Sequence, residues 1–434
     1  MSKSTPSGLV AYINARLLDP ASGLDCAGAL LTNGEIIADV GPGLFRGGVP
    51  AGIDVVDCAG HCLAPGLVDM RVQVREPGEE HKETLKTAGE AAVAGGVTSM
   101  VCLPNTDPIM DEVATVEFVA RRARKNGLAK VYPYAATTKR LEGRELSEMG
   151  FLQEAGALAF TDGIKAVADA QTMRRALSYA ATFGALIVQH PEDPSLAGSG
   201  VMNAGEQATR MGLSGIPPEA EIVMLERDMR LVAMTGGRYH AAHVSTAEGV
   251  EIIRRAKARG LPVTCDTAPP YFALNELEVT NYRTFAKLSP PLRGEADRLA
   301  VIAALRDGTI DAIASDHAPQ DEDAKRQTFA AAEFGGIGLE TLLAATLSLV
   351  HGGALDLLPA LALLTCRPAE VLRLPAGRLK VGAAADLLLF DPDRGWVVEP
   401  ARFKSKSKNS PFDGRPLQGV VLRTVVDGRT VYRA

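Results

Sequence analysis

The fold is decided by the stretch Leu67-Val68-Asp69-Met70-Arg71-Val72-Gln73, a short apolar run that takes on polar residues towards its end. It is followed by a longer amphipathic segment that closes at Gly95-Gly96, and this alternation continues to about Val350. Such repeats are typical of parallel strands joined by helices. Eight strands are predicted, near Leu67–Gln73, Val97–Leu103, Lys130–Ala136, Ala157–Asp162, Ala185–His190, Arg238–His243, Pro262–Thr267 and Asp311–Asp316. We therefore expect an α/β protein with a closed (β/α)8 barrel of the TIM type, whose chemistry lies at the carboxyl ends of the strands.

The two ends of the chain differ from its middle. Both contain short β-type runs separated by turn signals such as Asn33-Gly34 and Asp427-Gly428. Because chain termini often lie close together, we expect the two ends to form one small β-sandwich domain. The predicted organisation is a β domain from residues 1–62 and 376–434, with the barrel over residues 63–375.

Composition excludes several classes of protein. With 46 basic and 52 acidic residues and no extended basic run, the chain lacks the electrostatic footprint of a nucleic-acid binder. Its most apolar stretch, residues 354–364, is too short and too broken to span a bilayer. The six cysteines are widely spaced and are expected to be reduced packing residues. We predict a soluble cytoplasmic protein.

Four polar side chains stand at the ends of different predicted strands: Asp162, His190, His243 and Asp316. Each alone is most simply a hydrogen-bonded loop residue. Two imidazoles and two carboxylates that converge on a barrel mouth are, however, suitable ligands for zinc, and a carboxylate could also handle the proton of a nucleophilic water. The coincidence at four strand ends favours an active site or its remnant.

Several motifs give this pattern a family resemblance. The chain resembles the dihydroorotases of the amidohydrolase superfamily in Ala64-Pro65-Gly66-Leu67-Val68-Asp69, Arg75-Glu76-Pro77-Gly78, Leu103-Pro104-Asn105-Thr106, Asp316-His317-Ala318-Pro319 and Ser405-Lys406-Ser407-Lys408-Asn409-Ser410-Pro411-Phe412. The resemblance extends over nearly the whole chain. It implies an enzyme of pyrimidine biosynthesis that closes N-carbamoyl-aspartate reversibly to dihydroorotate.

One part of the family pattern is missing from this chain. In that family the first strand carries a His-x-His pair that enters the barrel mouth and holds one metal, and those positions are Arg71 and Gln73 here. A guanidinium stays protonated and has no lone pair to offer, and an amide oxygen is a weak, neutral ligand. We therefore expect the site of the more buried metal to be absent.

The resemblance also assigns roles to the residues that remain. It implies Asp162, His190 and His243 as ligands of at most one residual zinc, and Asp316 as the catalytic acid/base if the protein is active. It implies Arg75 and Asn105 as a clamp for the substrate carboxylate, a task that suits a guanidinium.

A separate hypothesis concerns the role of Arg71. A cation on the inward side of the first strand could neutralise Asp162 and Asp316 in place of the lost metal, since buried charges need partners. The alternative is an Arg71 side chain that turns out to solvent.

Two functions remain open at this point. The first is a non-catalytic dihydroorotase-like pseudoenzyme that supports aspartate transcarbamoylase structurally in pyrimidine synthesis. The second is an active single-zinc dihydroorotase, or an enzyme for a related ring such as a hydantoin or allantoin. A fold alone does not decide between them, because function belongs to the site. A homo-oligomer is the default expectation for either.

Overall fold

A computed structural model describes residues 8–434 of the chain. Its strands are β1 (Leu9–Asp19), β2 (Leu24–Asn33), β3 (Ile36–Gly41), β4 (Asp54–Asp57), β5 (Cys62–Pro65), β6 (Leu67–Val72), β7 (Val97–Cys102), β8 (Lys130–Pro133), β9 (Leu186–Gln189), β10 (Met202–Asn203), β11 (Gly215–Ile216), β12 (Arg238–Ala241), β13 (Val263–Thr267), β14 (Ala312–Ile313), β15 (Leu387–Val397), β16 (Pro416–Val426) and β17 (Arg429–Arg433). 

Its helices are α1 (Leu85–Ala94), α2 (Val113–Asn126), α3 (Met149–Glu154), α4 (Ala170–Thr182), α5 (Pro194–Ala197), α6 (Glu206–Met211), α7 (Glu219–Thr235), α8 (Ala247–Ala258), α9 (Pro269–Ala273), α10 (Glu295–Asp307), α11 (Glu322–Lys325), α12 (Leu342–His351), α13 (Leu357–Ala362) and α14 (Cys366–Leu372). Short 3-10 helices cover Lys139–Leu141, Glu276–Tyr282, Thr284–Ala286 and Pro400–Arg402.

Strands from both ends of the chain share one sheet. Its order is β17-β16-β15-β5-β1-β2-β3, and β4 pairs with β1. The two ends meet where β5 and β15 run antiparallel, with Pro65 opposite Leu387. The chain then passes from β5 directly into β6, so this sheet leads straight into the first parallel strand.

Parallel strands form the central part of the molecule, each followed by a helical segment. The ladders make a three-stranded sheet, β6-β7-β8, and a four-stranded sheet, β14-β13-β12-β9. The predicted strand at Ala157–Asp162 lies between them but is only an extended segment with isolated bridges from Phe160 to Ala135 and Ile187. Hydrogen bonds still join it to both sheets, from Phe160 N to Leu186 O at 2.9 Å and from Ala135 N to Ala159 O at 3.0 Å.

The prediction of a closed barrel is wrong at the junction of the first and last parallel strands. Only one bridge, Val72 to His317, joins them, and no continuous ladder closes the ring among residues 8–434. The carbonyls of Leu363 and Leu364 instead accept the N–H groups of Ile313 and Val68, at 2.9 and 2.8 Å. The segment after α13 therefore occupies backbone groups that would otherwise pair the two strands.

Helices cover the outside of these sheets with apolar faces. α4 is capped by the preceding residue, Asp169, whose carboxylate accepts the N–H of Thr172 at 2.7 Å, and it buries Met173, Ala176 and Leu177 against the core. α7 is followed by Gly236, whose φ of +69° is the left-handed conformation that glycine adopts without strain. No helix among the described residues is both long and apolar enough to cross a membrane.

Candidate active site

A cavity of about 600 Å³ opens at the carboxyl ends of the parallel strands. Its lining includes seven of the eight residues that the sequence singles out for the site or its degenerate positions, namely Arg71, Gln73, Arg75, Asn105, His190, His243 and Asp316. The loops that follow β9, β13 and β14 carry extra short elements, and residues of all three line this cavity. Asp162 is the one predicted site residue that does not line it.

Arg71 turns inward and is 2% exposed. Its Nε donates to Asp316 Oδ1 at 2.8 Å and its Nη2 donates to the carbonyl of Gly163 at 3.1 Å. The third nitrogen, Nη1, is buried without a hydrogen-bond partner among the described residues. The inward position predicted for Arg71 is therefore correct, and its cation pairs with one of the two predicted carboxylates, Asp316.

Asp162 has a different partner from the one predicted. The Thr138 N–H donates to its Oδ1 at 2.9 Å, and the Thr138 hydroxyl donates to its Oδ2 at 2.5 Å. Burial raises the pKa of Asp162 to about 6, although these hydrogen bonds oppose the shift. The expected pairing with Arg71 does not form, because the guanidinium reaches the backbone of the next residue, Gly163, instead.

The two predicted imidazole ligands contact each other. His190 Nδ1 and His243 Nε2 are 2.7 Å apart, and His243 Nδ1 lies 3.0 Å from Asp316 Oδ2. Burial and the Arg71 cation lower the pKa of His243 to about 4, so this ring is neutral near pH 7. Against the effect of burial, His243 and Arg71 hold the pKa of Asp316 well below its ordinary value. Asp316 is thus a fixed carboxylate with a partner on each oxygen.

The remaining predicted residues, Gln73, Arg75 and Asn105, also line the cavity and form hydrogen bonds of their own. Asn105 Nδ2 donates to Gln73 Oε1 at 3.1 Å. Arg75 Nε donates to the Pro319 carbonyl at 3.2 Å and its Nη1 donates to Glu79 at 2.7 Å. Both members of the predicted clamp therefore lie in the cavity wall.

The zinc site inferred from resemblance can be tested against this geometry. Among residues 8–434 no group of three or more His, Cys, Asp and Glu side chains is arranged to hold a metal ion. Two imidazole nitrogens converge, but Asp162 directs both oxygens to Thr138 and does not join them. Structural and catalytic zinc sites use three or four protein ligands at about 2.0–2.3 Å. The arrangement of these side chains does not fit a zinc ion.

Several supporting residues escaped the sequence reasoning. Asp266 Oδ1 accepts the backbone N–H of His243 at 2.6 Å, while its Oδ2 lies 2.9 Å from His240 Nε2. The nearby carboxylate of Glu192 is 3.7 Å from His190 Nε2. Asp266 was detectable in principle, because it is the one charged residue of the strand Val263–Thr267. Its partners are 23 and 26 residues away and could not be read from spacing.

Positive φ angles mark the same region of the backbone. His243, Asp316 and Arg75 have φ of +40°, +49° and +59°, in the left-handed region that side chains other than glycine rarely adopt. Such residues need support from their surroundings, and they concentrate at functional sites. The hydrogen bond from His243 N to Asp266 is one such support.

Comparison with known proteins places the chain in a family. The family model described as Dihydro-orotase-like matches residues 60–249, and one described as Amidohydrolase family matches residues 343–432. The chain is 48% identical over 428 residues to a protein named dihydroorotase from Anaplasma phagocytophilum, covering 98% of this chain and 95% of that one. A protein of the same name from Ehrlichia chaffeensis is 46% identical over 427 residues, again with 98% and 95% covered.

Solved structures of two related enzymes have the same fold as this chain. The L-hydantoinase of Arthrobacter aurescens superposes with a TM-score of 0.87 at 25% identity, covering 98% of this chain and 96% of that one. The dihydropyrimidinase of Brevibacillus agri superposes with a TM-score of 0.83 at 22% identity, with 98% and 95% covered, which supports the fold alone. Similarity at 48% identity across almost the full length decides the family. The chain belongs to the dihydroorotase family of the amidohydrolase superfamily.

Proposed function

We propose that this chain serves pyrimidine biosynthesis as a dihydroorotase-family protein that has lost zinc-dependent turnover. The observation that carries the proposal is the ion pair between buried Arg71 and partly buried Asp316. By resemblance, Arg71 stands where a metal-ligating imidazole is expected, and Asp316 is the residue that would ligate the same metal and move the proton. A permanent cation at this position both fails to bind zinc and engages the acid/base residue.

The chemical consequence is a less reactive water. A water bound to zinc in a hydrolytic enzyme has a pKa near 7 against 15.7 in bulk, a difference of about nine units or roughly 12 kcal/mol in the cost of forming hydroxide. The Arg71 guanidinium does not ligate water. Asp316, whose pKa is held well below its ordinary value, is also a weak proton acceptor. Ring opening and closure should therefore be slow.

On this proposal the molecule acts through its assembly with aspartate transcarbamoylase. Support comes from the resemblance to degenerate members of the family that have this structural role. The barrel would be the structural module, and its loops and the sheet of the β domain would present the interface. A homo-oligomer within such an assembly is part of the same proposal.

A second candidate, an active dihydroorotase, is favoured by different observations. The relatives at 48% and 46% identity both bear that name, and sequence similarity by itself supports this candidate better than the first. Arg75 and Asn105 also remain in the cavity wall. Such an enzyme would hold one zinc on His190 and His243, with Asp162 released from Thr138 to join them. The likeness to an L-hydantoinase extends this candidate to related rings.

One experiment separates the two candidates. The purified chain, with its zinc content measured, would be assayed for dihydroorotase turnover in both directions, with and without aspartate transcarbamoylase. We expect zinc below one ion per chain, no turnover by the chain alone and a stable complex with the transcarbamoylase. Zinc-dependent turnover that disappears in Asp316→Ala would establish the second candidate and overturn the first.

A further inference from the structure

A second cavity, the domain cleft, lies between the sheet of the β domain and helix α12. Its volume is about 860 Å³, and it shares no lining residue with the cavity at the barrel mouth. Six of the residues that line it are Leu389, Arg394, Trp396, Phe403, Arg423 and Arg433. The domain cleft is large enough for a small organic molecule, since ligand pockets commonly measure about 300–1,000 Å³.

Two arginines stand opposite each other on neighbouring strands of this cleft. Arg423 of β16 is the direct partner of Arg433 of β17 in the antiparallel ladder, and Leu389 of β15 is the partner of Arg423 on its other side. Side chains in such directly opposite positions have Cβ atoms about 5 Å apart, and like charges placed there repel each other. An anion between the two guanidinium groups would remove this repulsion.

Neither guanidinium is neutralised by the protein within residues 8–434. Arg423 Nη1 donates to the hydroxyl of Thr430 at 3.3 Å, and the Arg433 side chain forms no hydrogen bond or ion pair with any described residue. The side chain of Arg394, a third arginine of the domain cleft, is likewise unpaired in that part of the chain. Because the whole chain has a net charge of -6, this excess of positive charge is local.

The carboxylates that line the domain cleft have other partners. Glu399 pairs with Arg402 at 2.7 Å. Asp57 Oδ1 accepts a hydrogen bond from Asn14 Nδ2 at 3.0 Å. Glu340 accepts backbone N–H groups, and burial raises its pKa to about 7, so it is only partly charged near neutral pH. These acidic groups therefore leave the arginines available for an anionic ligand.

We propose that the domain cleft binds a nucleoside monophosphate, with the phosphate between Arg423 and Arg433 and the base against the aromatic side chains of Trp396 and Phe403. A phosphate monoester carries up to two negative charges and three acceptor oxygens, so a single group can accept from two guanidinium forks. The two aromatic rings lie with centroids 6.3 Å apart, and aromatic side chains stack on nucleobases. This site is separate from the barrel mouth and does not depend on the proposed function.

The position of Trp396 makes binding measurable. It is the one tryptophan of the chain, so tryptophan fluorescence reports on the domain cleft. The full chain would be titrated with AMP, UMP, adenosine and inorganic phosphate, followed by Trp396 emission and by calorimetry. We expect at least one of the two nucleotides to change the emission saturably and to bind at least about tenfold more tightly than adenosine or phosphate. No saturable change with either nucleotide, or an equal affinity for adenosine or phosphate, would overturn the proposal.

Variants test the phosphate position. Arg433→Gln changes an exposed residue, so the fold should remain while the nucleotide affinity falls at least about tenfold. Arg423→Gln should weaken the nucleotide similarly. Arg429→Gln is the matched control, since this arginine is exposed on the same strand as Arg433 but does not line the cleft. Unchanged affinity in the double variant Arg423→Gln/Arg433→Gln would overturn the proposal. Because these titrations involve neither turnover nor zinc, their failure would leave the proposed function untouched.

Discussion

Arg71 Nε and Asp316 Oδ1 lie 2.8 Å apart, although 245 residues separate them in the chain. Arg71 lies on β6 and Asp316 follows β14, so this ion pair spans the junction that the backbone leaves without a continuous ladder. The side chain of Asp69 crosses the same junction by accepting the Ser315 N–H at 3.0 Å. Side chains therefore join the first and last parallel strands where β pairing is incomplete.

Loss of the Arg71 cation should destabilise the protein. Arg71→Ala leaves the partly buried carboxylate of Asp316 without its cationic partner, and because breaking a fully buried pair costs about 3–5 kcal/mol, a loss of up to about 3 kcal/mol is expected here. Arg71→Lys keeps the charge but not the fork that reaches both Asp316 and Gly163, so a smaller loss is expected. Urea unfolding measures both values. The control is Arg140→Ala at an exposed position, where a change within about 0.5 kcal/mol is expected. Equal unfolding midpoints for wild type and Arg71→Ala would show that the pair does not stabilise the fold.

Imidazoles introduced at positions 71 and 73 should confer zinc binding. Arg71 and Gln73 are two residues apart and both line the cavity, as alternate residues of an extended segment do. The variant Arg71→His/Gln73→His should therefore retain at least one zinc per chain after dialysis, whereas wild type should retain less. Atomic absorption measures the content, and each single variant serves as a control. A folded double variant with no more zinc than wild type would contradict the ligand argument.

Glu221 should contribute strongly to the stability of the fold. This buried carboxylate on α7 accepts the N–H groups of Ser245 and Thr246 at 3.1 and 3.0 Å, and also both hydroxyls. Glu221→Gln replaces one carboxylate oxygen with an NH2 group. This donor would face the N–H and hydroxyl donors of Ser245 and Thr246. We expect a loss of about 3 kcal/mol in the free energy of unfolding.

The matched control lies on the same helix. Glu226 pairs with Arg255 at 2.8 Å but is 42% exposed, so Glu226→Gln should cost less than about 1 kcal/mol. Similar losses for the two variants would mean that the hydrogen bonds to Ser245 and Thr246 do not determine the effect. A circular dichroism melt of each protein provides a second measure.

Glu340 should make stability depend on pH. Burial raises its pKa from 4.5 to about 7, although the N–H groups of Lys404 and Ser405 donate to it at 3.0 Å. The folded state then binds more protons than the unfolded state between these pKa values, so stability falls as pH rises from about 4.5 to 7. The full effect is up to about 3 kcal/mol.

The variant Glu340→Gln tests this assignment. Its unfolding free energy should change less between pH 5 and pH 8 than that of wild type, by up to about 3 kcal/mol. Glu399→Gln, which changes a half-exposed carboxylate paired with Arg402, is the control and should keep the wild-type slope. Parallel pH profiles of the unfolding free energy for wild type and Glu340→Gln would exclude Glu340 as the source of the pH dependence.

Local pattern was enough to predict most of the fold. Seven of the eight predicted parallel strands are strands in the structure, because an apolar run that ends at polar residues is a property of neighbouring positions. The eighth, at Ala157–Asp162, has the same pattern but only isolated bridges. The open junction was not predictable either, since it depends on the distant carbonyls of Leu363 and Leu364.

For the candidate site, the sequence by itself determined which residue types stand at the strand ends. Strand periodicity predicted that Arg71 points inward, and the family resemblance, not the residue pattern, predicted that Arg71 and Gln73 stand where metal-binding imidazoles are expected. Only the tertiary structure decided the partners. Arg71 pairs with Asp316 while Asp162 turns to Thr138, and His243 depends on Asp266. These choices depend on distances between strands that are far apart in the chain, and no spacing along the sequence encodes them.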